Sequence, residues 1–269
     1  MSNIHATQTE RTRFTNKRIT DLFRDKDYKL LLDLEKKWGH YGYIPIDIPR
    51  IEDPALAPWY FERYSDIIKI APDATTNKTG HVGPAKSVDV YIEGYNASKD
   101  RDAVWTRNVQ PEFMTDFKHL YEQVMDLLPI KKLNRLQLWS TWEHMGLHRD
   151  WTWMTDLPNC FRIMMYDENP SSTMFVKEVL PDETSPRYPK EGIVNVARLD
   201  ETNTFIWNNL RTKHESLYIP GYRKILMILQ DYEIDWKKYD VLMERSKSKY
   251  DHLALKSKFN INDFVNYAR

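Results

Sequence analysis

The sequence predicts a mainly β protein with flanking helices, classed as α+β, whose strands form an antiparallel sandwich or barrel. Two observations predict this class. From residue 133 onward the hydrophobic pattern breaks into short, strand-like runs, and seven of them occur before residue 231. No helical pattern separates these runs, which argues against a parallel sheet built from strand-helix-strand units.

The N-terminal part of the chain has fewer strand signals. Residues 1–15 are polar and aperiodic, and residues 20–38 place leucines among charges as one or two short helices would. The prolines between residues 39 and 84, together with the segment 72–80, predict loops that are interrupted by a strand at 66–70. Residues 88–93 alternate apolar and polar side chains, so they predict a half-buried strand.

A clear amphipathic helix precedes the strand-rich part. From Pro111 to Leu128 apolar residues recur every three or four positions, and the proline stands in the first turn, where no backbone donor is needed. A closing helix is predicted from residue 236 to 245 or a little beyond. The strand patterns between the two helices cover residues 133–141, 160–166, 173–179, 193–199, 204–207, 216–219 and 223–230.

We expect a single domain over residues 1–269, because no internal repeat or clean linker divides the chain. Within it, residues 1–130 are expected to form a helical and extended support region. Residues 131–232 are expected to form the β core, and residues 233–269 a C-terminal helical segment.

Charge and cysteine content argue against several classes of protein. Lysine plus arginine and aspartate plus glutamate number 39 each, so no overall field attracts nucleic acid or an anionic membrane. The single Cys160 cannot form an internal disulfide, and no apolar run is long enough to cross a membrane. We therefore expect a soluble, cytoplasmic protein without a membrane partner, and the charge balance disfavours a nucleic-acid partner.

His148 and Asp150 are candidate metal ligands. Residues two apart in extended chain project on the same side of the backbone, so the pair would aim at one point. His214 follows several strands later, and Arg223 opens the next apolar strand. Two histidines and a carboxylate make the facial triad of non-haem Fe(II) oxygenases, and an arginine fork suits a carboxylate. Each residue also has a simpler interpretation. His148 and Asp150 could be a surface pair, His214 could be an exposed loop histidine, and Arg223 could be an edge charge that faces solvent.

From about residue 133 to 232, this order of His-x-Asp, several strands, His and then Arg resembles the oxygenases of the double-stranded β-helix superfamily that depend on Fe(II) and 2-oxoglutarate. The resemblance implies a jelly-roll, cupin-like core. It also implies ferrous iron on His148, Asp150 and His214, with O2 and 2-oxoglutarate as co-substrates. Arg223 would hold the distal carboxylate of 2-oxoglutarate.

A second resemblance is to the aspartyl/asparaginyl β-hydroxylase branch of that superfamily. It is carried by the segments 159–163 (NCFRI), 204–209 (TFIWNN), 213–215 (KHE) and 223–229 (RKILMIL). In that branch an arginine of the strand after the first histidine helps hold the oxo-acid end of the co-substrate, and Arg162 matches it here. Asp150 departs from the branch, which has glycine there and no iron carboxylate, so peptide hydroxylation is not implied.

Arg162 also has a structural interpretation, since a charge inside an apolar strand needs a buried anionic partner such as Asp167 or Glu168. Trp139, Trp151 and Trp153 flank the first ligands and serve either to line a pocket or to pack the core.

The function that the resemblance implies is that of a 2-oxoglutarate-dependent dioxygenase that oxidises an unactivated C–H bond. Hydroxylation, desaturation and cyclisation all stay open. Arginines near the candidate ligands favour a small polar substrate such as an amino acid, ahead of a protein side chain or a nucleobase. The alternatives from another class are a cupin-like metal-dependent isomerase and a binding module that shares the fold.

Overall fold

Antiparallel strands dominate the computed structural model, which describes residues 33, 36–56, 86–93, 115–140, 145–148, 159–168, 174–178, 193–208, 212–216 and 224–256. The strands are β1 (Tyr41–Pro45), β2 (Lys86–Ile92), β3 (Ile130–Ser140), β4 (Met145–His148), β5 (Asn159–Asp167), β6 (Met174–Glu178), β7 (Ile193–Asn195), β8 (Thr204–Asn208), β9 (Thr212–Ser216), β10 (Lys224–Ile234) and β11 (Leu255–Lys256). The longer helices are α1 (Lys118–Leu127) and α2 (Trp236–Tyr250), and a short 3-10 helix follows at Asp251–Leu253.

The strands form two sheets. The larger has the order β11-β1-β8-β5-β10-β3-β2, and the smaller has the order β4-β9-β6-β7. From β3 to β10 the chain passes back and forth, with β3, β5, β8 and β10 in the larger sheet and β4, β6, β7 and β9 in the smaller. Antiparallel strands distributed in this way make a double-stranded β-helix, the jelly-roll arrangement. The predicted fold class, mainly β with flanking helices around such a core, is confirmed.

One face of the larger sheet is covered by the two helices. α1 buries Leu120 and Val124, and α2 buries Tyr239, Leu242 and Met243, in one apolar cluster with the sheet. Side chains of this size contribute about 1.5–3 kcal/mol each when fully buried, so the helices hold this sheet in place. Among the described helices, none is long and apolar enough to span a membrane.

The opposite, inner face of the larger sheet looks toward the smaller sheet. Because side chains alternate along a strand, Phe205 and Trp207 lie on the inner face while Ile206 joins the helical side. Trp207 contacts His214 of β9, so the two sheets meet across this space. The fully buried members of the inner apolar cluster are Tyr43, Val196, Phe205, Trp207, Leu226 and Ile228.

The loop prediction for residues 39–84 is wrong at β1. This strand pairs with β8 and β11, and all five of its residues are buried, so it lacks the apolar-polar alternation that marks a strand. Its glycine has a packing reason, because a Cβ on Gly42 would lie 2.7 Å from Cγ2 of Thr212. Pro45 indicated a loop, whereas tertiary packing makes the segment a strand.

Other boundaries differ from the predictions by amounts that packing explains. The strand predicted at 216–219 is found as β9, which begins at Thr212. β4 lies between the predicted strands 133–141 and 160–166, where no strand was predicted. β10 runs on to Ile234, and α2 runs on to Tyr250. β1 and β2 join the sheet of the core from the predicted support region. The strand predicted at 66–70 lies outside the described residues.

Candidate functional site

β4 and β9 bring two of the predicted ligands opposite each other. In this antiparallel pair Met145 is the partner of Ser216 and His148 is the partner of His214. Three steps along β4 therefore match two steps along β9, so β4 carries one extra residue, a β-bulge. Without that residue Leu147 would face His214. Directly opposed residues have Cα atoms about 4.5–5.5 Å apart, so the two backbones approach closely at this point.

His214 lies between the two sheets. Its side chain is 4 % exposed, and its imidazole stacks on the indole of Trp207 with ring centroids 4.0 Å apart and planes inclined by 16°. Trp207 belongs to β8 of the larger sheet, so the imidazole points into the barrel interior. The interpretation of His214 as an exposed loop histidine is therefore wrong.

Arg162 lies on the same inner wall. It is 1 % exposed, and its neighbours across the sheet are Phe205 of β8 and Ile228 of β10, both members of the inner cluster. Its guanidinium carbon is 5.0 Å from the centroid of the Trp207 ring, and Nη1 donates a hydrogen bond to the carbonyl oxygen of Phe161 at 3.0 Å. One indole thus contacts both Arg162 and His214, which are far apart in the chain.

Asp150 and Arg223, the predicted iron carboxylate and the predicted anchor of 2-oxoglutarate, lie outside the described residues, and so do Trp151 and Trp153. Their roles stay predictions. Within the described ranges, no group of three or more His, Cys, Asp and Glu side chains converges on a point.

The residues that are described fit a ferrous site in two respects. His214 supplies a buried imidazole, and the backbone of His148 is held opposite it on the neighbouring strand. Imidazole is a ligand that suits Fe(II), and histidines on adjacent strands would supply two of the three ligands of a facial triad. Asp150, two residues after His148, is the carboxylate that the sequence offers for the third position.

Lys224 is a residue of this wall that the sequence analysis did not single out. It is 5 % exposed and has the same parity as Leu226 and Ile228 of the inner cluster. Burial lowers the pKa of its ammonium group to about 8, against the opposing attraction of Asp167, its partner across the sheet. The sequence does contain a signal for this residue: in the apolar run after Arg223, Lys224 has the same parity as Leu226 and Ile228.

Gln137 and Trp139 of β3 form a second polar element of the inner wall. Gln137 is 3 % exposed and lies across the sheet from Ile228, and Trp139 packs on the inner cluster. The indole Nε1 of Trp139 donates a hydrogen bond to Oε1 of Gln137 at 3.0 Å. Trp139 therefore contributes packing on this wall and also orients an amide.

Comparisons with known proteins give likenesses of fold only. No family model matches the chain. No curated protein matches it either. The chain is similar to the solved structure of the non-haem alpha-ketoglutarate-dependent carbocyclase SnoK from nogalamycin biosynthesis, with 11 % identity, 79 % of this chain and 89 % of that chain covered, and a TM-score of 0.40.

Two further solved structures are similar. The non-haem alpha-ketoglutarate-dependent epimerase SnoN from the same biosynthesis shows 14 % identity, with 75 % of this chain and 83 % of that chain covered and a TM-score of 0.36. A prolyl-4-hydroxylase of Pseudomonas putida shows 10 % identity, with 74 % and 98 % covered and a TM-score of 0.37. Because these scores are low, the fold is assigned from the strand order described above.

Proposed function

We propose that this protein is an Fe(II)- and 2-oxoglutarate-dependent oxygenase in which His148, Asp150 and His214 hold the iron. The observation that supports the proposal is the pairing of His148 with His214, set by the bulge in β4, with the buried imidazole of His214 aimed between the sheets. If His214 served only to pack the interior, nothing would be gained by a bulge that places a second histidine opposite it. A shared metal ion gives that arrangement a purpose.

Arg162 is proposed to bind 2-oxoglutarate. The position of Arg162 on the buried inner wall supports this role, because a guanidinium offers a carboxylate a planar pair of charge-assisted donors. A guanidinium also stays charged at any physiological pH, so the wall would hold its positive charge before the co-substrate arrives. Arg223 stays the predicted partner of the distal carboxylate, a role that requires β10 to depart from regular alternation before Lys224, because in a regular strand adjacent residues face opposite sides.

When bound, ferrous iron with 2-oxoglutarate and O2 supplies the oxidation of a C–H bond, with succinate and carbon dioxide as the co-products. The residues of the chain orient the reactants and exclude water. His214 is fixed by its stack on Trp207, and the buried aromatic and aliphatic residues around Arg162 keep the charged end of the co-substrate away from bulk solvent.

The substrate is proposed to be a small polar molecule that carries a carboxylate, such as an amino acid. Arginines that the sequence places near the candidate ligands, among them Arg149 and Arg211, support this choice, because a guanidinium pairs well with a carboxylate. A protein side chain remains the alternative substrate that a peptide library would test.

Anaerobic titration tests the proposal. Fe(II) and 2-oxoglutarate added together should produce a weak visible charge-transfer band, and neither component should produce it alone. Asp150→Ala and His214→Ala should each lose the band and the bound iron, whereas the exposed His252→Ala should keep both. A wild-type protein that binds iron without the band would be a cupin-like isomerase or a binding module. A protein that binds no iron would contradict the metal site itself.

The substrate class is tested separately under air. Succinate release should be stimulated by one or more free amino acids or related carboxylates, above the uncoupled rate without substrate. Stimulation by a peptide library, with no response to any amino acid, would leave the oxygenase proposal intact and overturn the proposed substrate.

A further inference from the structure

Trp207 has a buried hydrogen-bond donor that no described residue accepts from. The residue is 1 % exposed, and its indole Nε1 is buried without a hydrogen-bond partner among the described residues. A buried donor of this kind is normally paired, since leaving it unpaired costs its full desolvation. Trp38 and Trp139 show the usual arrangement, because their Nε1 atoms donate to Asp240 and Gln137.

The same indole contacts the two residues on which the proposed function depends. Its ring stacks on the imidazole of His214 at 4.0 Å, and the guanidinium carbon of Arg162 lies 5.0 Å from its centroid. A phenylalanine would fill the inner cluster and stack on both groups without burying a polar atom. The nitrogen of Trp207 therefore adds nothing to packing, and the ring that carries it lies beside a candidate iron ligand and a candidate anion anchor.

We propose that Trp207 is a positioning residue that holds His214 and Arg162 in one aromatic stack and donates its Nε1–H to an oxygen of the anion bound beside Arg162. The inference rests on the proposed function, since the anion in question is 2-oxoglutarate or the carboxylate of the substrate. The ring orients the imidazole and the guanidinium, and the N–H completes the ligand's hydrogen bonding once water has been displaced.

Trp207→Phe separates the two roles, because it keeps an aromatic ring and removes the donor. Fe(II) affinity, measured without co-substrate under anaerobic conditions, should change by less than about twofold, since the stack on His214 remains. The dissociation constant of 2-oxoglutarate for the Fe(II) protein should rise about tenfold or more, as expected for a lost hydrogen bond to a charged group. The charge-transfer band should also shift in wavelength.

Trp207→His tests the donor independently. It restores a ring N–H at a smaller size, so it should bind 2-oxoglutarate more tightly than Trp207→Phe does. Trp38→Phe is the matched control, because it removes an indole N–H from a buried tryptophan on the helical side of the sheet. It should lower the unfolding temperature and leave both affinities unchanged.

The outcomes separate this inference from the proposed function. If the wild type binds iron and 2-oxoglutarate and Trp207→Phe matches it in affinity and in band position, the donor role of Trp207 is wrong while the oxygenase proposal stands. If both variants are equally weak, the donor role is wrong. If the wild type binds neither component, the proposed function fails and this inference fails with it.

Discussion

His148 lies directly opposite His214 across the β4–β9 pair because β4 carries one residue more than its partner between Met145 and His148. A bulge changes which residues of two strands face each other, and a change of one position exchanges the two faces of the strand beyond it. The candidate iron site therefore depends on the number of residues between Met145 and His148, which sets the register of β4, as well as on the identity of its ligands.

Removal of the extra residue should abolish iron binding without unfolding the protein. Deletion of Gly146 would restore an unbulged pairing and place His148 out of register with His214. We expect the Fe(II) affinity to fall by at least about 100-fold, the upper end of the loss caused by removing a residue that supports a ligand. Metal content after anaerobic loading measures this. Gly146→Ala keeps the residue count and should retain the iron; a deletion variant that still binds iron normally would contradict the dependence on register.

Arg162→Met should weaken 2-oxoglutarate binding while leaving the fold intact. The loss of a charge-assisted interaction of about 1.5–3 kcal/mol corresponds to a dissociation constant raised about 10- to 100-fold. Replacing a buried cation with an apolar side chain of similar length is often neutral or stabilising, so the unfolding temperature should not drop much. Calorimetric titration of the anaerobic Fe(II) protein measures the first effect, and thermal unfolding measures the second.

Arg162→Lys distinguishes a ligand anchor from a structural ion pair. An ammonium group keeps the charge but loses the planar fork, so binding of 2-oxoglutarate should be intermediate between the wild type and Arg162→Met. If Arg162→Met bound 2-oxoglutarate normally and unfolded at a much lower temperature, the structural interpretation, an ion pair with Asp167 or Glu168, would replace the proposed one.

The parts of this site that could be predicted lie on strands whose own sequence has a recognisable hydrophobic pattern. β5 and β10 are apolar runs, so their strands were predicted, and Arg162 stood out within one of them as a charge. β9 reads Thr-Lys-His-Glu-Ser, in which both parities are polar. The inner parity of that strand carries a candidate ligand instead of core residues, so the hydrophobic alternation that marks a strand is missing and the strand was placed too late in the chain.

Contacts across the barrel could not be predicted from the sequence, for a different reason. The stack of Trp207 on His214 depends on the facing of two sheets, and the opposition of His148 and His214 depends on a bulge that no turn residue or periodicity announces. The face on which Lys224 lies could have been predicted more easily. Lys224 has the same parity as Leu226 and Ile228, so it shares their face once the inner side of the strand is known. Only the order of the candidate ligands could be read directly.

Lys224→Met should stabilise the protein at neutral pH. The folded state lowers the pKa of Lys224 from 10.5 to about 8, so the buried ammonium destabilises the fold wherever it is protonated in both states. At 1.36 kcal/mol per pKa unit the penalty is about 3 kcal/mol below pH 8, and it disappears as the pH rises from 8 to 10.5, because only the unfolded chain then binds the proton. The wild type should therefore gain stability across that window.

Chemical denaturation at pH 7 and at pH 10 measures this difference. The gain from Lys224→Met should be about 2–3 kcal/mol at pH 7 and should shrink toward zero at pH 10. Equal stability of the two proteins at pH 7 would show that an anion already compensates the ammonium in the folded state.

Gly42→Ala should disturb the candidate site from outside it. The added Cβ would lie 2.7 Å from Cγ2 of Thr212, closer than two carbon atoms pack, so β1 or β9 must shift. Overpacking of this kind costs about 1–3 kcal/mol of stability. Because Thr212 stands two residues before His214 on β9, we also expect weaker Fe(II) binding, measured by anaerobic titration beside thermal unfolding.

Thr212→Ser is the partner for a double-mutant cycle with Gly42→Ala. It removes the Cγ2 that the new Cβ would meet and keeps the hydroxyl that donates to the carbonyl oxygen of Asn208 at 2.8 Å. The double variant should recover most of the stability and of the iron affinity lost in Gly42→Ala. A cycle in which the two substitutions simply add would mean that the strain spreads through β1 alone, and that the approach of Gly42 to β9 does not position His214.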